Sequence, residues 1–274
     1  KECEARGTDA AGIAYNHDGS LRIFKRPLPA RKMQWRLKSD SSVVMGHTRM
    51  TTQGSEKFNR NNHPFRGNVN GEHFALAGML YNDRSLRREY NLPKTDIETD
   101  SYIAVQLIEK SGRLSFNSIA DMAEQLEGSF TITVLDEKNN LYFIKGSNPM
   151  CIYHWKERGL YLYASTEEIL QSALKKISVN LGKAEKIPID SGEILRIDGH
   201  GQRKTCHFRM QPMFSPYAYA SWYRDIFGER SYIDELKSLS GAFGYSADDV
   251  DELLETGITP EEIEDWFYFC GEEV

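Results

Sequence analysis

Three stretches in the middle of the chain, "SFTITVLDEKNNLYFIKG" (129–146), "CIYHWKERGLYLYAS" (151–165) and "GEILRIDGHGQRKTCHF" (192–208), each hold two short alternating runs around a polar turn. Alternation of period two puts one set of side chains on each face of a strand, and a short polar turn between two such runs marks an antiparallel hairpin. The turns fall at Lys138–Asn140, Glu157–Gly159 and Asp198–Gly201. Upstream, "GIAYN", "LRIFK" and "SVVMGHTR" read as further strands, the first two joined by "HDG" at 17–19. A chain so rich in local hairpins must build around antiparallel sheet.

Helices are expected between the strands. Thr99 can cap a helix carrying Tyr102, Ile103, Val105, Leu107 and Ile108, apolar enough to be largely buried. A second is predicted over Asn117–Glu127, with Ile119, Met122, Ala123 and Leu126 on one stripe and Gly128 as its stop. Ser165 with Glu168 forms a capping box that opens a third, running through Leu174. Beyond Met210 the pattern is helical throughout, with starts at Ser246 (Asp249 three later) and at Thr259 (Pro260 next, Glu262 three later). We therefore divide the chain into residues 1–210 and a small acidic helical tail, 211–274. Trp222, Tyr223, Trp266 and Phe267 in that tail either fill its own core or form a docking surface.

Composition excludes several classes. With 274 residues, 40% apolar and 27% charged, the chain can bury a core and is neither disordered nor fibrous. Its apolar runs fall short of the roughly 18–20 residues that span a membrane, and no signal peptide opens it, so a cytoplasmic protein without a membrane partner is expected. Cys3, Cys151, Cys206 and Cys270 lack the paired spacing of a metal site or a disulfide framework. No metal and no cofactor is expected. Net charge is −6, and "LRR" at 86–88 and "LKK" at 174–176 read as solvated helix faces, so no nucleic-acid partner is implied. "KECEARGTDAAG" reads as the middle of a helix, without initiator Met or cap, and we expect the true N-terminus to lie upstream.

Four polar clusters sit where strands or helices begin or end: "RGTDAAGIA" (6–14), "GHTRMTTQG" (46–54), "NNHPF" (61–65) and "IETDSY" (97–102). The polar stretch from Thr51 to Glu72 reads as a functional loop. Arg49, at the end of a buried strand and before a Thr-rich loop, suits a carboxylate, because its planar fork and the loop donors converge. Asp100 either binds an ammonium or is a favourable charge at a helix start. In "EHFALAGMLYND" (72–83) a strand, Phe74–Ala77, stops on Gly78, with the next side-chain donor at Asn82. Such a glycine marks a turn or a close approach of the backbone.

Taken together, "RGTDAAGIAYN", "GHTRMTTQG", "NNHPF", "ETD", "LEGSFTITVLD" and "YASTEEIL", in this order over about residues 1–200, resemble the class II glutamine amidotransferase domain of the N-terminal-nucleophile (Ntn) hydrolase superfamily. The resemblance implies an α+β fold, a four-layer αββα sandwich of two antiparallel sheets with a small C-terminal helical appendage. Periodicity alone also fits other α+β folds. The implied activity is hydrolysis of the side-chain amide of L-glutamine to glutamate and ammonia, by the thiolate of an N-terminal Cys whose own α-amine is the base. In that family pattern Arg49 clamps the α-carboxylate, helped by Thr52 and Gln53, and Asp100 holds the α-ammonium. The Gly78 backbone N–H is half of the oxyanion hole.

Two departures stand out. The family's opening "CGI" strand is absent, and Cys3, flanked by glutamates before the "RGTD" motif, cannot replace it. The nucleophile is thus expected outside these residues. The asparagine that precedes the oxyanion glycine is also absent, and we expect a break between Ala77 and Gly78 with that asparagine missing from it. Residues 211–274 are too few for a synthase domain, which implies an acceptor or synthase on a separate protein, and a homo-oligomer stays open. The rival reading is a catalytically silent amidotransferase-fold protein that binds glutamine or glutamate, or serves as a scaffold. Hydrolysis of another amide is disfavoured by the carboxylate and ammonium pair.

Overall fold

Alternation along single strands decides the layering. β5 (Glu72–Ala77) sends Phe74 and Leu76 into one apolar cluster and Ala75 and Ala77 into another. β7 (Leu141–Lys145) splits the same way, Tyr142 and Ile144 from Leu141 and Phe143, and β11 (Glu193–Ile197) parts Ile194 from Leu195 and Ile197. These strands belong to a six-stranded sheet in the order β12-β11-β7-β6-β5-β4, where β4 is Phe65–Val69, β6 is Thr131–Asp136 and β12 is Arg203–His207. All its pairings are antiparallel. Because both faces are apolar, both must be covered.

The computed structural model describes residues 1–38, 40–78, 83–126, 130–210 and, in the C-terminal segment, 233–234, 236–237, 240–241 and 245–269. On the first face of the large sheet α2 (Tyr102–Ser111) and α3 (Phe116–Gln125) bury Ile103, Ile108, Ile119 and Met122, and the short α1 (Asp83–Glu89) adds Leu86. The second face meets two three-stranded antiparallel sheets. One has the order β2-β1-β3, with β1 Ala10–His17, β2 Ser20–Arg26 and β3 Val44–Arg49. The other has the order β10-β8-β9, with β8 Cys151–Trp155, β9 Leu160–Ala164 and β10 Glu185–Lys186. Ala14, Leu21, Met45 and Ile152 from these sheets share a core with Ala75, Leu135 and Phe143. Outside them α4 (Glu167–Lys175) packs Ile169 and Leu170 on Cys151 and Ala164. Helix, sheet, paired sheets and helix make the four αββα layers, as expected.

The three hairpins form at the predicted turns, and the boxes at Ser246 and Thr259 open α5 (Ala247–Glu255) and α6 (Pro260–Phe269). Val250, Ile263 and Phe267 share a small cluster with Leu236, while Trp266 stays 37% exposed. Trp222, Tyr223 and Cys270, and the predicted stop at Gly128, lie outside the described residues.

Several local expectations shift. α2 is preceded by Ser101, not Thr99, because the Thr99 hydroxyl donates to the Asn61 carbonyl at 2.7 Å. α4 is capped by Thr166, one residue after the predicted Ser165, and the cap of α3 is Ser115. The polar stretch from Thr51 contains β4, whose inward residues are Phe65 and Val69. The first residues form a 3-10 turn, Glu2–Arg6, in place of an α-helix. Ala77 pairs with Thr133 and Gly78 follows it directly, so the expected break with its asparagine is not found in this chain.

Phe74, fully buried, pairs with Gly67 on β4, where a Cβ would stand 2.1 Å from the ring. Replacement of Phe74 by Ala empties that space and is expected to cost about 3–5 kcal/mol, measured as a lower urea midpoint.

Candidate functional site

Arg49 ends β3 with its side chain 3% exposed. A buried guanidinium must find acceptors, and this one finds them in the loop that follows it. Nη1 donates to Asn62 Oδ1 at 2.8 Å, and Nη2 to the carbonyls of Gln53 and Gly54 (2.8 Å for the latter) and to Thr99 Oγ1 at 3.3 Å. Burial pulls its pKa down, and Asp100, Asp9 and Glu56 oppose that. Asp9, from the "RGTD" cluster, accepts the Thr51 N–H at 2.8 Å, which fixes the start of the loop. The turn before it crosses the strand end so closely that a Cβ on Gly7 (φ 143°) would lie 2.1 Å from Met50 N.

The far side of the loop reaches α2. Asn61 bridges to Glu98, its Oδ1 accepting the Glu98 N–H at 3.0 Å and its Nδ2 donating to Glu98 Oε2 at 2.7 Å. His63 Nε2 lies 2.8 Å from Ser101 Oγ, and the Ser101 N–H donates to Asp100 Oδ1 at 2.6 Å. Asp100 itself is 7% exposed.

Arg49, Thr52, Asp100 and Gly78 line one cavity of about 900 Å³, near the upper end of the roughly 300–1,000 Å³ usual for small-molecule sites. The structure therefore brings four of the five residues singled out from sequence to the lining of one cavity. Gln53 is the exception, and offers Arg49 its carbonyl. The cavity runs between β3 and β9, over Thr133 and Phe143 of the large sheet. Both β3 and β9 are edge strands of their sheets. The buried Tyr163 hydroxyl faces Gly46 and Thr133 across this gap, and burial pushes its pKa up.

Cys3, an exposed residue, also lines the cavity, and partial desolvation of its thiol raises its pKa, the opposite of what a nucleophile needs. Among the described residues, the three acidic or histidine groups that approach one another, His17, Asp18 and Asp40, lie away from this cavity and are mostly exposed. Sequence reasoning gave no role to Asn61, Asn62, His47 or His63. The cluster "NNHPF" was the available signal.

His47 and His63 pack at a tilt of 34° with ring centroids 4.2 Å apart, and neither Nδ1 has a hydrogen-bond partner among the described residues. Burial, then Arg49 and Arg6, lowers His47 from 6.5 to about 3. Burial, then His47, Arg49 and Lys25, holds His63 well below 6.5. Both rings stay neutral in the folded protein while the unfolded chain takes up their protons, so their contribution is complete above pH 6.5 and is lost as pH falls below it. Between pH 7 and 5.5 stability should fall by up to about 1.4 kcal/mol per pH unit for each ring. Urea unfolding across that range checks this, and His47→Gln should remove one ring's share of the slope.

Comparison with known proteins bears on this geometry. A model of the glutamine amidotransferase domain matches residues 29–187. The glutamine–fructose-6-phosphate aminotransferase of Helicobacter pylori is 29% identical over 184 residues, 62% of this chain and 30% of that protein. The 7-cyano-7-deazaguanine synthase of Sulfolobus acidocaldarius is 25% identical over 177 residues, 60% of this chain and 37% of that one. The chain thus spans about a third of the length of the curated relatives it matches. The fold is shared with a B. subtilis glutamine phosphoribosylpyrophosphate amidotransferase (TM-score 0.61, 22% identity, 90% of this chain and 54% of that one). It is shared equally with an allosteric regulatory enzyme of purine biosynthesis (TM-score 0.61, 20% identity, 86% and 53%). With more than half of its length matched by the family model, over the span that carries β3, the loop after it and the start of α2, this chain belongs to the glutamine amidotransferase domain family.

Proposed function

We propose that this domain binds free L-glutamine, with the α-carboxylate toward Arg49 and the α-ammonium toward Asp100, and that the intact protein hydrolyses the side-chain amide to glutamate and ammonia. The observation that carries this reading is that Arg49, Thr52, Asp100 and Gly78 all line one cavity. Opposite charges at two points of a partly desolvated wall select a free amino acid, because a substrate lacking either charge leaves a buried partner unpaired. Nη1 and Nη2 of Arg49 already serve the loop. The carboxylate is then held by the guanidinium's charge and by N–H groups of that same loop.

The nucleophile in this reading is a cysteine N-terminal to Lys1. The edges of β3 and β9, unpaired by other described strands and flanking the cavity, suit a strand that carries it, since such a strand would pair on both sides. The α-amine would take the thiol proton as sulfur attacks the amide carbon and would give it to the nitrogen as the C–N bond breaks and ammonia leaves. Water would then hydrolyse the thioester, releasing glutamate and restoring the thiol. The Gly78 N–H would face the oxyanion. We place the ammonia acceptor on a separate protein and the domain in the cytoplasm. Relatives named as a synthase and aminotransferases support a use for the ammonia, and no helix among the described residues is long and apolar enough to cross a membrane.

A second reading, a silent domain that binds glutamine or glutamate, is favoured by one observation: Gly78 follows Ala77 directly, without the asparagine that would complete the oxyanion hole. One missing oxyanion donor typically costs about 10²–10³ in rate.

Calorimetric titration of this chain with glutamine, glutamate and N-acetylglutamine tests the binding half. Glutamine and glutamate should bind and the acetylated compound should not, and Arg49→Ala and Asp100→Asn should each weaken binding at least tenfold. Unchanged affinity in Arg49→Ala would remove that residue from the site. For the full-length protein, binding without glutamate release would select the silent reading.

A further inference from the structure

Lys25, on β2, is half-buried, and its amine reaches main-chain carbonyls: it donates to Asn62 O and, at 3.0 Å, to Pro64 O. The ammonium also lies 5.1 Å from the centroid of the Phe65 ring. A lysine on a strand next to solvent can usually extend its amine into water. This one is folded inward toward a second cation, Arg49, and burial followed by that cation lowers its pKa from 10.5 to about 8. Such a placement costs stability, and costs of this kind gather where a site needs the charge.

The two carbonyls that Lys25 grips bracket His63, in the segment that organises the site. Asn62 Oδ1 accepts from Arg49 Nη1 at 2.8 Å, while its Nδ2 donates to the Glu56 carbonyl at 2.7 Å. His63 Nε2 meets Ser101 Oγ, whose backbone N–H holds Asp100. β1 leaves room for the segment at Gly12, where a Cβ would stand 2.2 Å from the His63 carbonyl oxygen, 2.8 Å from Lys25 Cβ and 2.9 Å from Pro64 Cδ. Gly12 lets the segment press against the sheet, and Lys25 fastens it there.

We propose that Lys25 is a positioning residue for glutamine binding: by pinning the Asn62–Pro64 backbone to β2, it sets the Arg49 guanidinium through Asn62 and the Asp100 carboxylate through His63 and Ser101. It acts through these residues and does not touch the ligand. Both charged partners of the amino acid therefore depend on one amine. The ligand's identity rests on the proposed function, while the anchoring itself does not.

Three measurements test this, the first two on wild type, Lys25→Met and Lys25→Arg. Hydrogen–deuterium exchange should rise at least tenfold at residues 61–65 in Lys25→Met, with α2 and α3 unchanged, and should return most of the way to wild type in Lys25→Arg, whose guanidinium can span both carbonyls. Titration with L-glutamate and L-glutamine should show at least a tenfold weaker Kd in Lys25→Met and less than threefold in Lys25→Arg. In the full-length protein Lys25→Met should raise KM for glutamine at least tenfold while kcat changes less than threefold. Unchanged exchange in Lys25→Met overturns the anchoring, as does a loss of protection spread evenly over the core. Raised exchange with unchanged Kd and KM overturns the positioning role. If wild type binds neither amino acid, the glutamine reading falls and with it the role in binding, while the exchange result still decides whether Lys25 holds the segment.

Discussion

A guanidinium taken out of water has to be given acceptors, and the loop after β3 is shaped by that need. Arg49 collects a side-chain oxygen from Asn62, two carbonyls from Gln53 and Gly54, and a hydroxyl from Thr99. Its charge is sustained against burial by Asp100, Asp9 and Glu56. These partners come from the turn before β1, the loop and the approach to α2, so one buried cation ties three separated pieces of chain into a single wall. A chain that lost this cation would lose the reason for the loop's path, since four polar groups would be left facing inward without a donor.

What was legible in the sequence was whatever depends on neighbours along the chain. The hairpin turns, the capping boxes at Ser246 and Thr259, and the apolar stripe Ile119, Met122, Ala123 follow from local periodicity and local hydrogen bonds, and they appear where expected. Errors arose where a distant partner outbid a local one. Thr99 has the side chain of a cap, but the Asn61 carbonyl takes its hydroxyl. The polar stretch after Thr51 hid β4 because its inward positions, Phe65 and Val69, alternate with Arg66 and Asn68, a pattern five residues long inside a polar context. Asn62 and Lys25 were invisible as site residues for the same reason: each acts across more than ten positions of chain, and no spacing rule announces it. The strand order of the large sheet, which runs from β12 to β4, is likewise set by packing of distant strands.

Family membership and chemistry separate at Gly78. The proposed binding of a free amino acid calls only on Arg49, its loop and Asp100, and Arg49 and Asp100 both line the cavity. Stabilising the charge that develops during amide cleavage is a further demand, met by donors aimed at a single point. Here the strand end supplies a glycine preceded by alanine, so in the proposed function recognition and turnover would rest on different parts of the molecule.

The gap between β3 and β9 bears on solubility as well as on the proposed chemistry. Each strand presents a row of backbone N–H and C=O groups that no other described strand pairs, with apolar side chains such as Leu162 and Val44 nearby. A row of that kind is a template for any extended chain. A segment that covered these edges would act as a guard against self-association. Preparations in which it is displaced should cloud with rising concentration well before the core, sealed by α2, α3 and α4, begins to unfold.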